Sequence, residues 1–340
     1  MVAYVMFSTV NVLEKLVKPP VRKAPEGAFR YFGDTMNKPF KTYDELLDFL
    51  ENEKELNIKD RAAAKTVLSK ISYYSLINGY KDIFKNKTTG YYKKGTCFDD
   101  IYNLYKFDRD LRSVFLKYIL IAEKSVKTAL AYYFSELYGE SQNEYCDIKN
   151  YDVIPQNAQS IKKLISIFSY NLSGKTDYTY INHYLSVHGN VPLWIMVQVL
   201  TLGQFSHLFD YLKATTPIKV CKDYHNISRN QMHSFLSVMT KHRNVCAHGD
   251  RFYNYRTKDS ISDTLVHGKL KIPMHNGRYE VGKDDVFAEV IILKYLLDRD
   301  DYRDFQRELS LCFNKYKPGK EIVEQMGFPS NWKSIIRYRL

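Results

Sequence analysis

The chain has 340 residues, of which 45% are hydrophobic and 26% charged, with a formal net charge of +12 and a pI near 9.2. That composition describes an ordinary soluble protein, long enough to bury a large core with two or three lobes around it. No apolar run approaches the roughly 20 residues that a membrane span needs, and five scattered cysteines without a C-x-x-C set aside both a disulfide framework and a zinc ribbon.

In chain order, residues 1–37 read as an N-terminal arm, interrupted by Pro19, Pro20 and Pro25. The first dozen residues lack a basic n-region and a small-residue cleavage site, so a cytoplasmic protein is expected. An N-terminal helical region follows over 38–95. Thr42 to Glu45 reads as a capping box opening one helix, and Asp60 to Tyr74 as a second with Ala64, Val67, Leu68 and Ile71 on its apolar stripe. Asn78-Gly79 punctuates it, and Lys85 to Gly95 is a basic loop.

A helical core is expected over 96–258. Cys97 to Leu137 is helical throughout, with one break expected because about 60 Å is long for a globular element. Asp108 lies on its apolar seam with Arg112 four residues on, which predicts a structural ion pair. Tyr138–Tyr151 reads as a polar linker. Helices are expected at 156–168, 180–185 and 192–212, the last strongly apolar and opened by Pro192. A C-terminal helical region spans 259–340, with Asn276-Gly277 marking a short hairpin and helices at 284–297, 302–316 and near Trp332.

The stretch that carries chemistry is FLSVMTKHRNVCAHGDRFYN, Phe235 to Asn254. Ser228 with Gln231 three residues on predicts a capped helix start, and Gly249 predicts its stop. Phe235, Val238, Met239 and Cys246 mark the buried stripe, which leaves Arg243, Asn244 and His248 within an arc of about 140° flanking or opposing it. An imidazole can exchange a proton near neutral pH. A planar, permanently charged guanidinium suits a phosphorane that gains negative charge. The look-alike Arg229-Asn230-Gln231-Met232-His233 sits at the helix start, where capping already explains it. No phosphate loop, H-E-x-x-H or G-x-S-x-G occurs, and His183 and His188 lack a third ligand, so no metal and no cofactor is expected.

Basic residues gather at Lys15–Lys41, Lys81–Lys94 and Lys333, Arg337 and Arg339. Beside the bland reading of a solvated lysine-rich surface stands a polyanion partner, above all nucleic acid.

Several blocks together resemble the Abi-like family of abortive-infection proteins, whose core belongs to the HEPN superfamily. They are KISYYSLINGY (70–80), CFDDIYNLYKFDRDLR (97–112), NHY (182–184), VPLW (191–194), RNVCAHGDRFYN (243–254) and MGFPSNW (326–332). The resemblance runs from about Lys38 to the end. It implies an all-α, HEPN-type helical bundle with N- and C-terminal helical extensions and one short β-hairpin. It also implies a metal-independent endoribonuclease acting in phage defence or as a toxin, with Arg243, Asn244 and His248 catalytic. The RNA's own 2′-hydroxyl would attack the adjacent phosphate. Lys241, His242 and Arg251 would line the RNA cleft, with Lys93 and Lys94 from the basic loop. The partners expected are substrate RNA, a small non-coding RNA and a second copy of the chain in a homodimer. The alternative is a non-catalytic RNA-binding module that forms a ribonucleoprotein with a small RNA.

Overall fold

The computed structural model describes residues 39–338 and 340. The arm at 1–37 and Arg339 lie outside the described residues. The fold is all-α with one minimal hairpin. Its first helices are α1 (Tyr43–Asp48), continued by a π-helical turn, and α2 (Arg61–Lys70). Asp60 caps α2 by accepting from the Ala63 amide at 2.9 Å, an orphan donor that a helix start always leaves. The helix ends at Lys70, earlier than its pattern suggests, because Ile71 turns extended before a π-helical turn at Tyr74–Asn78.

The axis of the molecule is α3 (Phe98–Tyr138). The break expected in it does not occur: its 41 residues run unbroken, about 60 Å long. Two reasons are visible. The segment holds no glycine or proline, and its buried residues recur every three or four positions from Phe98 to Phe134. Partners cover it all along, so tertiary packing carries a length that an isolated helix could not sustain. Gly139 ends it at a φ of 89°.

The expected polar linker is in fact partly helical, with α4 (Gln142–Cys146) and a 3₁₀ turn at Ile148–Asn150. Tyr145 and Tyr151 anchor it in the core, the former donating to the Val191 carbonyl at 2.6 Å. Then come α5 (Ala158–Leu172) and α6 (Thr179–His188). The long apolar helix expected over 192–212 is split into α7 (Leu193–Met196), a 3₁₀ turn, and α8 (Leu202–Tyr211). Thr201 and Gln204 form a capping box that restarts the helix. The extended Leu200, between the 3₁₀ turn and this cap, presents its carbonyl to Lys127 Nζ at 2.6 Å. Lys127 is buried beside Glu123, and a buried ammonium needs such acceptors. The split thus satisfies a charge on the axial helix.

Next come α9 (Thr215–Asp223), which the sequence pattern does not announce, and α10 (Arg229–His248). A short α11 (Leu265–Lys269) precedes the hairpin of β1 (Met274–His275) and β2 (Arg278–Tyr279). The register pairs Met274 with Tyr279 and His275 with Arg278. Asn276 and Gly277 take positive φ at its turn, as the Asn-Gly pair predicts. Finally α12 (Val286–Leu296), α13 (Arg299–Tyr316), α14 (Lys320–Gln325) and a 3₁₀ helix at Trp332–Arg337 complete the chain. α12 is apolar nearly all round and buried. α13, α10, α9, α7 and α12 all pack on α3. Among the described residues, no helix is long and apolar enough to cross a membrane.

Asp110 joins α3 to α13, accepting from Lys315 Nζ at 2.8 Å and Tyr316 Oη at 2.6 Å, with Arg109 beside it at 3.0 Å. Burial pushes its carboxyl up, but these donors outweigh burial and hold it down at about 2. The unfolded value is about 3.9, so the carboxylate's contribution is present above that pH and lost as pH falls through the folded value. Asp110→Asn is expected to lower stability by about 1–2 kcal/mol near pH 7. In urea titrations the difference from wild type should shrink steadily below pH 4; a difference that persists there would contradict this account.

Candidate active site

α10 is built as its sequence suggests. Ser228 accepts from the Gln231 amide at 3.1 Å while Gln231 Oε1 accepts from the Ser228 amide at 2.9 Å. At the other end Gly249 is left-handed with φ 75°, and the Asp250 amide reaches back to the Val245 carbonyl at 3.1 Å. This is the hydrogen-bonded stop that glycine permits. His248 is therefore the last helical residue.

Around this helix, His242 lies at the centre of the buried face, between Val238 and Met239 on one side and Val245 and Cys246 on the other. Arg243 sits about 100° from that centre and is half-buried. Asn244 and His248 are exposed and stand one turn apart on a common face. None of the three makes a side-chain hydrogen bond or ion pair with the described residues, and the buried Arg243 Nε has no acceptor among them. A guanidinium, an amide and an imidazole thus lie within about one and a half turns of the helix end without a side-chain hydrogen bond to the described residues, the Arg243 Nε being enclosed. They can bind an oxyanion, and the imidazole can carry a proton to or from it.

The chain beyond the helix is held firmly. The carboxylate of Asp108 on α3 is fully buried and accepts from the amides of Phe252 and Tyr253 at 3.0 and 2.7 Å. It also accepts from Tyr80 Oη at 2.7 Å and Arg112 Nη1 at 2.5 Å. Burial raises its pKa, and Arg112 with the other three donors pulls it back. Four donors and no acceptor leave the ionised form as the one that fits. Arg112 also donates to the Asp250 carbonyl at 3.1 Å, so the structural pair expected from the sequence also braces the residues next to His248. A cleft of about 600 Å³ opens here, with Gly249, Asp250 and Arg251 on one wall and Lys70, Tyr74 and Asn78 on the other.

The family model described as Abi-like protein matches residues 66–254, more than half of the chain. The chain belongs to the Abi-like protein family. No curated protein and no solved structure matches it. The Abi-like match starts within α2, takes in the axial helix, and ends just past the Arg243–His248 segment, at the loop that Asp108 holds.

The other residues expected at the site are dispersed. Lys241 lies two turns below His248 on the same face but is engaged by Asp259 and Ser237. Arg251 faces the cleft, yet its guanidinium donates to the Gly79 carbonyl and lies 3.8 Å from Asp82. Lys93 and Lys94 are exposed, the former 3.7 Å from Glu321. The placement of His242 at the RNA edge must be corrected. It has no exposed surface, its Nδ1 lies 2.8 Å from Glu289 Oε2, and Phe252 and Tyr255 meet its ring edge-on. Helical spacing explains this, since 238, 242, 245 and 246 are one face. The look-alike pair at the helix start is structural too: Arg229 donates to the Asp210 carbonyl at 2.5 Å and His233 lies 2.8 Å from the Asp210 carboxylate.

Glu289 and Tyr80 are supporting residues that the sequence did not single out. Both are recognisable only by partners far along the chain. Burial holds the Glu289 carboxyl above its ordinary range, with His242 opposing that shift. His242→Ala would leave it buried without a partner and is expected to destabilise the fold by about 2–4 kcal/mol. His248→Ala touches nothing and should change stability by no more than about 0.5 kcal/mol. Urea denaturation of the two variants tests the assignment of one histidine to the core and the other to the site; equal effects would refute it.

Proposed function

We propose that this Abi-like protein is a metal-independent endoribonuclease of the HEPN type, acting in the cytoplasm in phage defence or as a toxin. The observation that carries the reading is the unpartnered set Arg243, Asn244 and His248 on a capped helix end, in the Arg-x₄-His spacing. In the proposed reaction the RNA 2′-hydroxyl oxygen attacks the adjacent phosphorus and the bond to the 5′-oxygen breaks. An imidazole accepts the 2′-hydroxyl proton, and an imidazolium, that of a second His248, donates a proton to the departing 5′-oxygen. The products are a 2′,3′-cyclic phosphate and a 5′-hydroxyl. Arg243 neutralises the charge that builds on the non-bridging oxygens, and Asn244 orients the phosphate.

In-line transfer uses groups on both sides of phosphorus, and one chain offers one such helix end. A homodimer with two α10 helices about its two-fold axis would supply the second. A small non-coding RNA is the regulator we propose. Sedimentation should show a dimer; a monomer that cleaves RNA at micromolar concentration would rule out a shared site.

His248→Ala is expected to slow cleavage of single-stranded RNA by about 10²–10⁴-fold. Arg243→Lys should not restore what Arg243→Ala loses, because a point charge lacks the planar two-pronged donor. Cleavage should persist in EDTA, leave cyclic phosphate ends, and fail on RNA with a 2′-deoxy sugar at the cut site. A strict requirement for added Mg²⁺, or cleavage of the deoxy substrate, would overturn the mechanism. Binding without cleavage by the wild type would favour the ribonucleoprotein module instead.

A further inference from the structure

Two clefts of about 610 and 360 Å³ meet at Arg303 and Ile336, between α13 and the C-terminal 3₁₀ helix. Six cations line them: Lys294, Arg299, Arg303, Arg307, Lys333 and Arg337. Asp298 and Asp304 are the only acidic side chains among the lining residues. Asp298 is occupied as the cap of α13, accepting from the Asp301 amide at 2.8 Å. Arg303 and Arg307 are paired on the rim, at 3.1 Å from Asp300 and 3.2 Å from Asp304. The other four cations have no carboxylate within 4.0 Å among the described residues.

Lys294 stands out among the four. It is half-buried, held 4.6 Å from the Tyr302 ring centroid, and burial lowers its pKa with Lys269 adding to the effect. An ammonium in that position gains from a bound anion. Arg299, Arg303 and Arg307 follow one another at four-residue steps, about 6 Å apart along the helix. Lys333 and Arg337 stand on the facing wall, on the C-terminal 3₁₀ helix. The array is a line of charges rather than a single-phosphate nest.

We infer that this groove binds the phosphodiester backbone of a single-stranded RNA, at a site separate from the Arg243–His248 helix end. The inference rests on the reading that the chain handles RNA and adds to it where a strand is held. A groove that reads phosphates does not distinguish ribose from deoxyribose, so it supplies affinity while the 2′-hydroxyl chemistry supplies selection.

The test uses the full chain carrying His248→Ala, so that bound RNA stays intact. Binding of a labelled single-stranded RNA is measured over a range of salt, with and without Arg299→Gln and Arg337→Gln together. Both arginines are exposed, so the variant should stay folded. The log–log salt slope should become less steep by about 0.7 for each contact removed, about 1.4 for the pair. Single-stranded DNA should show the same loss. An unchanged slope with RNA still bound overturns the groove and leaves the ribonuclease reading standing. No RNA binding even at low salt, with wild-type chain inert on RNA, overturns that reading as well. If a nucleoside triphosphate displaces the RNA as well as a strand of equal phosphate content does, the occupant is a small phosphate ligand and the strand assignment fails.

Discussion

The buried carboxylate of Asp108 is the interaction on which the rest of the site depends. It sits on the long axial helix and takes hydrogen bonds from an N-terminal tyrosine, an arginine one turn away, and two amides just past the candidate site. A lone carboxylate in that position would be costly, since desolvation disfavours the charged form. With four donors it becomes a clamp that ties three distant parts of the chain together. The residues next to His248 are therefore positioned by the core, while His248 itself is exposed and makes no side-chain hydrogen bond with the described residues.

A second buried acid works from the other side. Glu289 belongs to a mostly apolar helix and faces His242, one residue before Arg243. His242 Nε2 and Glu289 Oε1 remain without partners, so the pair is incompletely satisfied. Breaking such a pair costs more than forming it gains, which makes it a device for fixing the rotation of α10. With His242 locked inward, geometry puts Arg243 at the edge of the core and His248 in solvent.

Much of this was legible in the sequence. The caps of α10, its stop at Gly249, the Asp108–Arg112 pair and the Asn-Gly hairpin each follow from residue types at fixed local offsets. What was not legible depended on distant partners. The continuity of α3 comes from the helices that cover it, and the break at Leu200 serves Lys127, which lies 73 residues earlier. His242 is the instructive error. Its neighbours Lys241 and Arg243 made it look like part of a basic edge, although the same period that buried Val238 and Cys246 placed it inside. The period was the better guide, because a histidine's polarity says little about its side of a helix when a glutamate waits 47 residues away.

The same contrast separates the site from its surroundings. Gly327 takes a φ of 79°, and a Cβ there would collide with the Asp285 carboxylate. That carboxylate caps α12 at the Ala288 amide and accepts from the Gly282 amide. Such close fits, with the buried pairs around Asp108 and Glu289, leave little freedom near α10. The buried Arg243 Nε is one of several buried polar atoms without a partner among the described residues, with Glu123 Oε2, His242 Nε2 and Glu289 Oε1, each of a kind that costs about 1–3 kcal/mol. Three of these atoms, on His242, Arg243 and Glu289, belong to α10 and the helix packed on it, so much of the unsatisfied polarity of this interior lies where α10 turns from core to solvent.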